Sequence, residues 1–263
     1  FPIRTASIPT DWPRVWPNNW TGRYYLNDNV HGRALATLIQ AAEQYRDSRY
    51  LDAASKAGDF LIRAQLPEPQ PVWAQQYDVH MQPVWDRKFE PPAVSGAESQ
   101  DAIAALLLLH RKTGDKRYLA PIPKALAYLR KSTLSNGKLA RFYELETNKP
   151  LYFKVTGKRY DLTYSDADIP THYAFTVPSK VDRLAAEYER ARSGRSETAS
   201  KEPEPPDQAD VDKIIAAMDD RGAWIDRRGM RGHPKASPEG VIQSDTFIKN
   251  MKTLCRWLDA HRR

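Results

Sequence analysis

Two stretches of the chain set arginine among aromatic rings and carboxylates: Gln82-Pro83-Val84-Trp85-Asp86-Arg87-Lys88-Phe89-Glu90 and Ala140-Arg141-Phe142-Tyr143-Glu144. A guanidinium matches a carboxylate through two parallel hydrogen bonds. Aromatic faces stack on sugar rings, so the combination suits an acidic sugar. The competing reading of Arg87 and Lys88 is ion pairing with Asp86 and Glu90, and the residues alone leave both open. A third aromatic stretch, Val72-Trp73-Ala74-Gln75-Gln76-Tyr77-Asp78, precedes the first arginine.

Asn27-Asp28-Asn29 stands just before a helical pattern. Three oxygen-bearing side chains could hold a hard cation such as calcium, or cap the helix, since Asn and Asp are preferred caps. Ser95 and Glu98 have the Ser-x-x-Glu spacing of a capping box. The six histidines, His31, His80, His110, His172, His233 and His261, have no paired metal spacing. His31, three residues after Asp28, reads as structural. No phosphate loop, nucleophile elbow or dinucleotide fingerprint is present.

The net charge of +7 favours an anionic partner. The basic residues are spread along the chain and match no nucleic-acid module. The longest apolar run, Ala102 to Leu109, is too short to span a bilayer. A monomer with no nucleic-acid or membrane partner is expected. The single cysteine, Cys255, sits in an apolar pattern and reads as a core residue.

Helical periodicity covers about Asn29 to Tyr45, Tyr50 to Gln65, Ala97 to His110 and Pro123 to Arg130. Asp-x-Arg-Tyr-Leu occurs twice, at Asp47 to Leu51 and at Asp115 to Leu119, each time between an outgoing and a returning helix. Repeated helical hairpins stack to bury a shared face, which predicts an all-α fold, an α/α toroid. Pro67 to Ser95 and Asn136 to Pro178 read as long loops dense in aromatics, and therefore as ordered packing. Three regions follow: a toroid domain over 1–192, a flexible linker over 193–210, and C-terminal helices over 211–263 that pack back on the toroid. Those helices are expected near Val211 to Met218 and Asp245 to His261, the second with Phe247, Ile248, Met251, Leu254, Cys255 and Leu258 on one face.

Six stretches taken in order resemble the family-ten pectate lyases: Trp12-Pro13-Arg14-Val15-Trp16-Pro17, Tyr25 to Val30, Val72 to Asp78, Gln82 to Glu90, Pro92 to Ser99, and Ala140 to Pro150. The last two are the specific ones, similar to that family's LPSLSGSES and ARFYEIGTNRP. The resemblance implies a toroid and calcium-assisted β-elimination on polygalacturonate, an acidic polysaccharide, by a secreted or periplasmic enzyme. It implies Asp28 as a calcium ligand, Arg87 as the catalytic base and Arg141 in the substrate site. Trp73, Gln75, Asp78, Lys88 and Tyr143 would line the groove. An arginine base conflicts with a guanidinium pKa above ~12; a clamp on the carboxylate is the alternative role for Arg87. The chain departs from the family in lacking an upstream Asp-Asn-Gly motif that carries another calcium ligand, so the toroid is expected to be incomplete at its N-terminus. Tyr77 replaces a histidine before Asp78, and the segment after Pro150 has no counterpart. A polyuronate-binding protein without activity and a glycoside hydrolase on a helical scaffold are the competing functions.

Overall fold

A computed structural model describes residues 22–157, 159–194, 204–227 and 239–262. The Trp12 to Pro17 stretch, His233 and half of the expected linker (195–203) lie outside the described residues. The chain divides into two units, Phe1–Glu197 and Thr198–Arg263.

The first unit begins with a helical hairpin, α1 (Val30–Tyr45) and α2 (Ser48–Ala64). Arg46, in the left-handed region at φ 52°, turns the chain between them. Ala54, Gly58, Leu61 and Ala64 form the buried stripe of α2. Gly58 permits a close approach: a Cβ there would meet Leu109 Cδ2 at 2.2 Å and Tyr118 at 2.8 Å. Leu109 belongs to α3 (Gly96–Thr113), the helix against which α1, α2, α4 (Ile122–Lys131) and α5 (Val181–Arg192) all pack. Its Ile103, Leu106, Leu107 and Leu109 are all but fully buried, as expected of a helix with neighbours on several sides. The repeated Asp-x-Arg-Tyr-Leu is realised as two caps. Asp47 accepts from Arg49 N at the start of α2, and Asp115 from Arg117 N at the start of a 3-10 turn leading into α4. Helix α5 was not anticipated, although Val181, Leu184, Ala185 and Tyr188 carry its i, i+3, i+4, i+7 spacing.

The all-α expectation is corrected here. The two long segments between helices form antiparallel strands: β1 (Tyr24–Tyr25) pairs with β2 (Gln76–Tyr77), and β4 (Lys138–Ala140) with β8 (Thr176–Pro178). β3 (Val94–Ser95), β5 (Phe142–Tyr143), β6 (Pro150–Thr156) and β7 (Arg159–Thr163) make a four-stranded sheet in that order. The run Leu151-Tyr152-Phe153-Lys154-Val155-Thr156 is rich in aromatic and β-branched residues, which fit a pleated surface better than a helix.

Two hydrophobic clusters result. One lies among the helices and is mostly aliphatic. The other lies on the sheet and is mostly aromatic, with Phe142, Tyr152, Phe153 and Phe175 at its centre and Trp85, Phe89, Tyr160 and Tyr173 around them.

The second unit holds α6 (Gln208–Ala216), capped by Asp207, and α7 (Ser244–His261). Trp224 donates from Nε1 to Ile214 O (2.7 Å) and lies 5.9 Å from the Phe247 ring. No residue of α7 is buried, and Cys255 is exposed rather than part of a core. Among the described residues no helix is long and apolar enough to cross a membrane.

Candidate functional site

Arg141 is positioned by two strand pairings and a helix start. It follows β4, whose Ala140 pairs with Thr176. Its backbone N donates to Phe175 O at 2.8 Å, and its carbonyl accepts from Gly96 N at 3.0 Å. Gly96 is required at this crossing, since a Cβ there would lie 2.3 Å from Ala140 O. The side chain then turns inward: Nε donates to Ala174 O (2.7 Å) and Nη1 to Glu98 Oε1 (3.1 Å). Glu98 is buried in the first turn of α3, where Ser95 caps the helix by accepting from Ala97 N and Glu98 N. The capping box is varied. Glu98 accepts from Ser95 Oγ and from Arg141, while Ser95 N donates to Trp73 O. Burial raises the Glu98 pKa, and the Arg141 cation opposes that rise.

Arg87 sits in a tight loop closed by Asp86 N→Glu90 O (3.0 Å) and Glu90 N→Arg87 O (2.8 Å). Its guanidinium grips the fully buried Glu90 from two nitrogens: Nε donates to Oε2 at 2.8 Å, and Nη2 donates to Oε1. The competing ion-pair reading of Arg87 is therefore present, but as a buried pair rather than a surface one. That pairing pushes the Arg87 pKa above its ordinary value, and Asp28 adds to the effect. Burial, the largest single effect on Glu90, works against its charge, but the hydrogen bonds and charge of Arg87, with help from Gln75 and Tyr173, together lower its pKa.

Tyr173 links the two arginines. Its ring centroid is 5.6 Å from Arg87 Cζ and 4.9 Å from Arg141 Cζ, within the range of cation–π attraction. Its hydroxyl lies 3.0 Å from Glu90 Oε1 and 3.3 Å from Gln75 Oε1. Phe89, Phe142 and Phe175 surround the ring. Burial, foremost, raises the phenol pKa, so the group stays a donor. Behind Glu90, Asp86 is held by Arg23 (3.2 Å) and Tyr25 (3.2 Å). Burial, and then the charge of Glu90, raise Asp86 to about 6.

Each guanidinium makes hydrogen bonds to the protein from two of its three nitrogens. Arg87 keeps Nη1 and Arg141 keeps Nη2 without a hydrogen bond among the described residues. The arrangement therefore leaves donors on both arginines for a carboxylate.

The expected site residues separate into three groups. Arg87, Arg141 and Gln75 come together around Tyr173. Gln75 is buried, and its amide nitrogen has no hydrogen bond of normal geometry, yet lies near enough to favour the charged form of Glu90. Asp28 and Lys88 are exposed, and Lys88 makes no polar contact among the described residues. Trp73, Tyr143 and Asp78 do not line a groove. Trp73 is fully buried and donates to Leu61 O (2.7 Å), and Tyr143 donates to Ser132 O (2.6 Å) from within the core. Asp78 closes a turn by accepting from His80 N and Gln82 N. Glu90, Glu98 and Tyr173 belong to the cluster; from sequence Glu98 reads as half of a capping box and Glu90 as an ion-pair partner of Arg87, and neither reads as a site residue. Glu90 and Glu98 lay inside motifs already quoted; Tyr173 had no local signal.

Calcium takes roughly six to eight oxygen ligands. Among the described residues no group of three or more His, Cys, Asp and Glu side chains could hold a metal. Asp28 and Asn29 both adopt left-handed backbone (φ 54° and 55°), and neither Asp28 nor Asn29 caps α1 through its side chain. The Asn29 side chain folds back over Gly32. The capping reading fails, and among the described residues Asp28 belongs to no group of three or more His, Cys, Asp and Glu that could hold a metal.

No protein-family model matches the sequence, and no curated protein does. Two solved structures with weak similarity are a family 10 polysaccharide lyase from Cellvibrio cellulosa (18% identity, TM-score 0.47, 66% of this chain and 63% of that one) and a mutant family 10 lyase from the same organism in complex with trigalaturonic acid (18%, 0.48, 66% and 65%). A family 76 glycoside hydrolase, a mannosidase from Bacteroides thetaiotaomicron, is more distant (12%, 0.34, 94% and 58%). The chain spans less than two thirds of the length of each of these structures.

Proposed function

We propose that this chain is a polysaccharide lyase that cleaves polygalacturonate, or a closely related polyuronate, by β-elimination. The observation that carries the reading is the convergence of Arg87 and Arg141 on the single ring of Tyr173, each with one free terminal nitrogen. A uronate carboxylate seated there accepts from Arg87 Nη1 and Arg141 Nη2. Removal of the neighbouring C5 proton pushes charge onto that carboxylate, and two fixed cations in an aromatic surround stabilise it more than water would. The electron pair from C5–H forms the C4–C5 double bond, and the C4–O4 bond breaks. The departing oxygen then takes up a proton.

Arg87 serves in this scheme as a permanent cation. Its hold on Glu90 favours the protonated guanidinium, so the C5 proton goes to an oxygen base other than Arg87. Asp28 is exposed to solvent and adds to the electrostatic environment of Arg87. Calcium dependence and a secreted or periplasmic location belong to the same proposal, and no step is assigned to the metal because the described side chains do not assemble its cage.

The test is the ultraviolet absorbance of unsaturated product from polygalacturonate, with added calcium and with chelator. Absorbance growing in the calcium arm supports the lyase. Tight binding of polygalacturonate with no absorbance change supports the reading as a binding protein. Reducing ends without unsaturated product would point to a hydrolase. That last reading needs two carboxylates facing across the scissile bond, whereas Glu90 and Glu98 are both buried and tied to arginines.

A further inference from the structure

We infer that Tyr173 is the positioning residue of this site, setting the orientation of both arginines through two separate parts of one side chain. The inference rests on the lyase reading for its kinetic consequences and on geometry alone for the arrangement itself.

The phenol acts on Arg87 through Glu90. A carboxylate with no solvent exposure needs each of its lone pairs answered. Arg87 supplies donors to both oxygens, and Tyr173 adds a further donor to Oε1 at 3.0 Å. With that donor, Glu90 stays ionised and fixed, and the Arg87 fork is held in one orientation with Nη1 left outward. Remove the hydroxyl and Oε1 loses a partner in a dry surround; the carboxylate then turns or becomes protonated, and Arg87 moves with it. The ring acts on Arg141. That guanidinium is anchored at Nε and Nη1 by Ala174 O and Glu98, and the Tyr173 face 4.9 Å away supports its plane. A flat aromatic surface suits a guanidinium on both counts, attraction and shape. Tyr173 is itself fixed between Phe89 at 4.7 Å and Phe175 at 5.1 Å. It also follows His172, whose Nε2 lies 3.0 Å from the Tyr160 hydroxyl on β7. The segment between β7 and β8 therefore sets the position of a residue that addresses arginines from two other parts of the chain.

The two functions are separable by substitution. Tyr173→Phe keeps the ring and removes the donor; Tyr173→Leu removes both. With Arg87 as the cation that meets the developing charge, the Phe variant should lose about 10-fold in kcat with KM within about 2-fold of the parent. The Leu variant should lose about 10²-fold in kcat and raise KM about 10-fold, because Arg141 also loses its seat. The partial rescue of KM by Phe is the signature that simple core packing would not give. A packing role predicts a Phe variant indistinguishable from the parent and a Leu variant that loses folded protein but not activity per folded molecule; either result would overturn the inference.

A readout independent of activity accompanies the kinetics. The arginine Nε–Hε signals of Arg87 and Arg141, assigned with Arg87→Lys and Arg141→Lys, should be displaced by the ring current of Tyr173. Tyr173→Leu should remove both displacements. Tyr173→Phe should keep them and speed hydrogen exchange at Arg87 alone. Unchanged signals in the Leu variant would refute the positioning role whatever the kinetics. Absence of eliminase activity in the unaltered protein would count against the lyase reading only, and the arginine signals would then decide the role of Tyr173 by themselves.

Discussion

The helical cluster and the aromatic sheet cluster of the first unit use burial for opposite ends. Around α3 the residues of the buried cluster are chiefly Leu, Ile, Val and Ala. On the sheet, the rings of Phe89, Phe142, Phe175 and Tyr173 enclose an edge where Arg87, Glu90, Arg141 and Glu98 are paired. Apolar burial stabilises without specifying chemistry. Charges held beside rings cost desolvation, and are retained where an oriented charge is useful. Changes in the helical cluster should therefore act on stability and spare rate per folded molecule, whereas changes in the sheet cluster should act on rate.

The largest effect tests the sheet side. Arg87→Lys keeps a cation but replaces the planar fork with a point charge that cannot answer both Glu90 oxygens. The expected loss in kcat is about 10²–10³-fold, the range seen on removing one donor to a developing negative charge, with the protein still folded by circular dichroism. Parental kcat in this variant would break the contrast, since the sheet cluster would then be only a second core.

On the helical side, Leu106→Ala removes a fully buried side chain from α3. Destabilisation of about 3 kcal/mol is expected from denaturant unfolding. The rate per folded molecule should be unchanged, because Leu106 touches none of the paired charges. Gly96→Ala probes the seam between the regions. Its new methyl would press on Ala140 O at 2.3 Å, and overpacking of this kind costs about 1–3 kcal/mol. The displaced strand carries Arg141, so KM should rise as well. A variant that loses stability but keeps its KM would show that the seam does not fix the arginine.

The same contrast explains what was legible in sequence. The helices α1 to α4 announce themselves because one apolar face repeats every 3.6 residues over ten or more positions. The sheet escaped because its strands are mostly two or three residues long, too short for an alternation to register. The expectation of an ordered aromatic region was right while the element type was not, since composition reports burial and not backbone geometry. In the site, Arg87 and Arg141 could be singled out because each sits in a dense local motif. Trp73 and Tyr143 could not be told from groove residues, because an aromatic in a motif looks the same whether it packs inward or outward. Tyr173 was out of reach: it joins the site through the β4–β8 pairing and loop closure, a long-range contact with no local trace. The Asn27-Asp28-Asn29 turn misled for a related reason, since Asp28 and Asn29 adopt left-handed backbone and Asn29 makes no side-chain cap.

The smallest effect isolates the electrostatics of the sheet side from its packing. Asp86 has a folded pKa raised to about 6, from an ordinary value of 3.8, by burial and by the charge of Glu90. The folded state therefore holds its proton over a range where the unfolded chain has released it. Stability from this group is fully present below about 3.8 and is lost as pH rises through about 6. Glu90 works the other way: its lowered pKa gives stability above its ordinary 4.5 that fades as pH falls through the folded value. Between about pH 4.5 and 6.5 the Asp86 contribution varies alone of the two. After discounting for the solvent that reaches Arg23 beside it, the change is on the order of 1 kcal/mol. Asp86→Asn should flatten that fall in urea midpoint while leaving the midpoint at acid pH near the parent's. An unaltered slope would mean that Arg23 and Tyr25 already neutralise Asp86, and that the charge pattern around Glu90 is set by Arg87 and Tyr173 without help from behind.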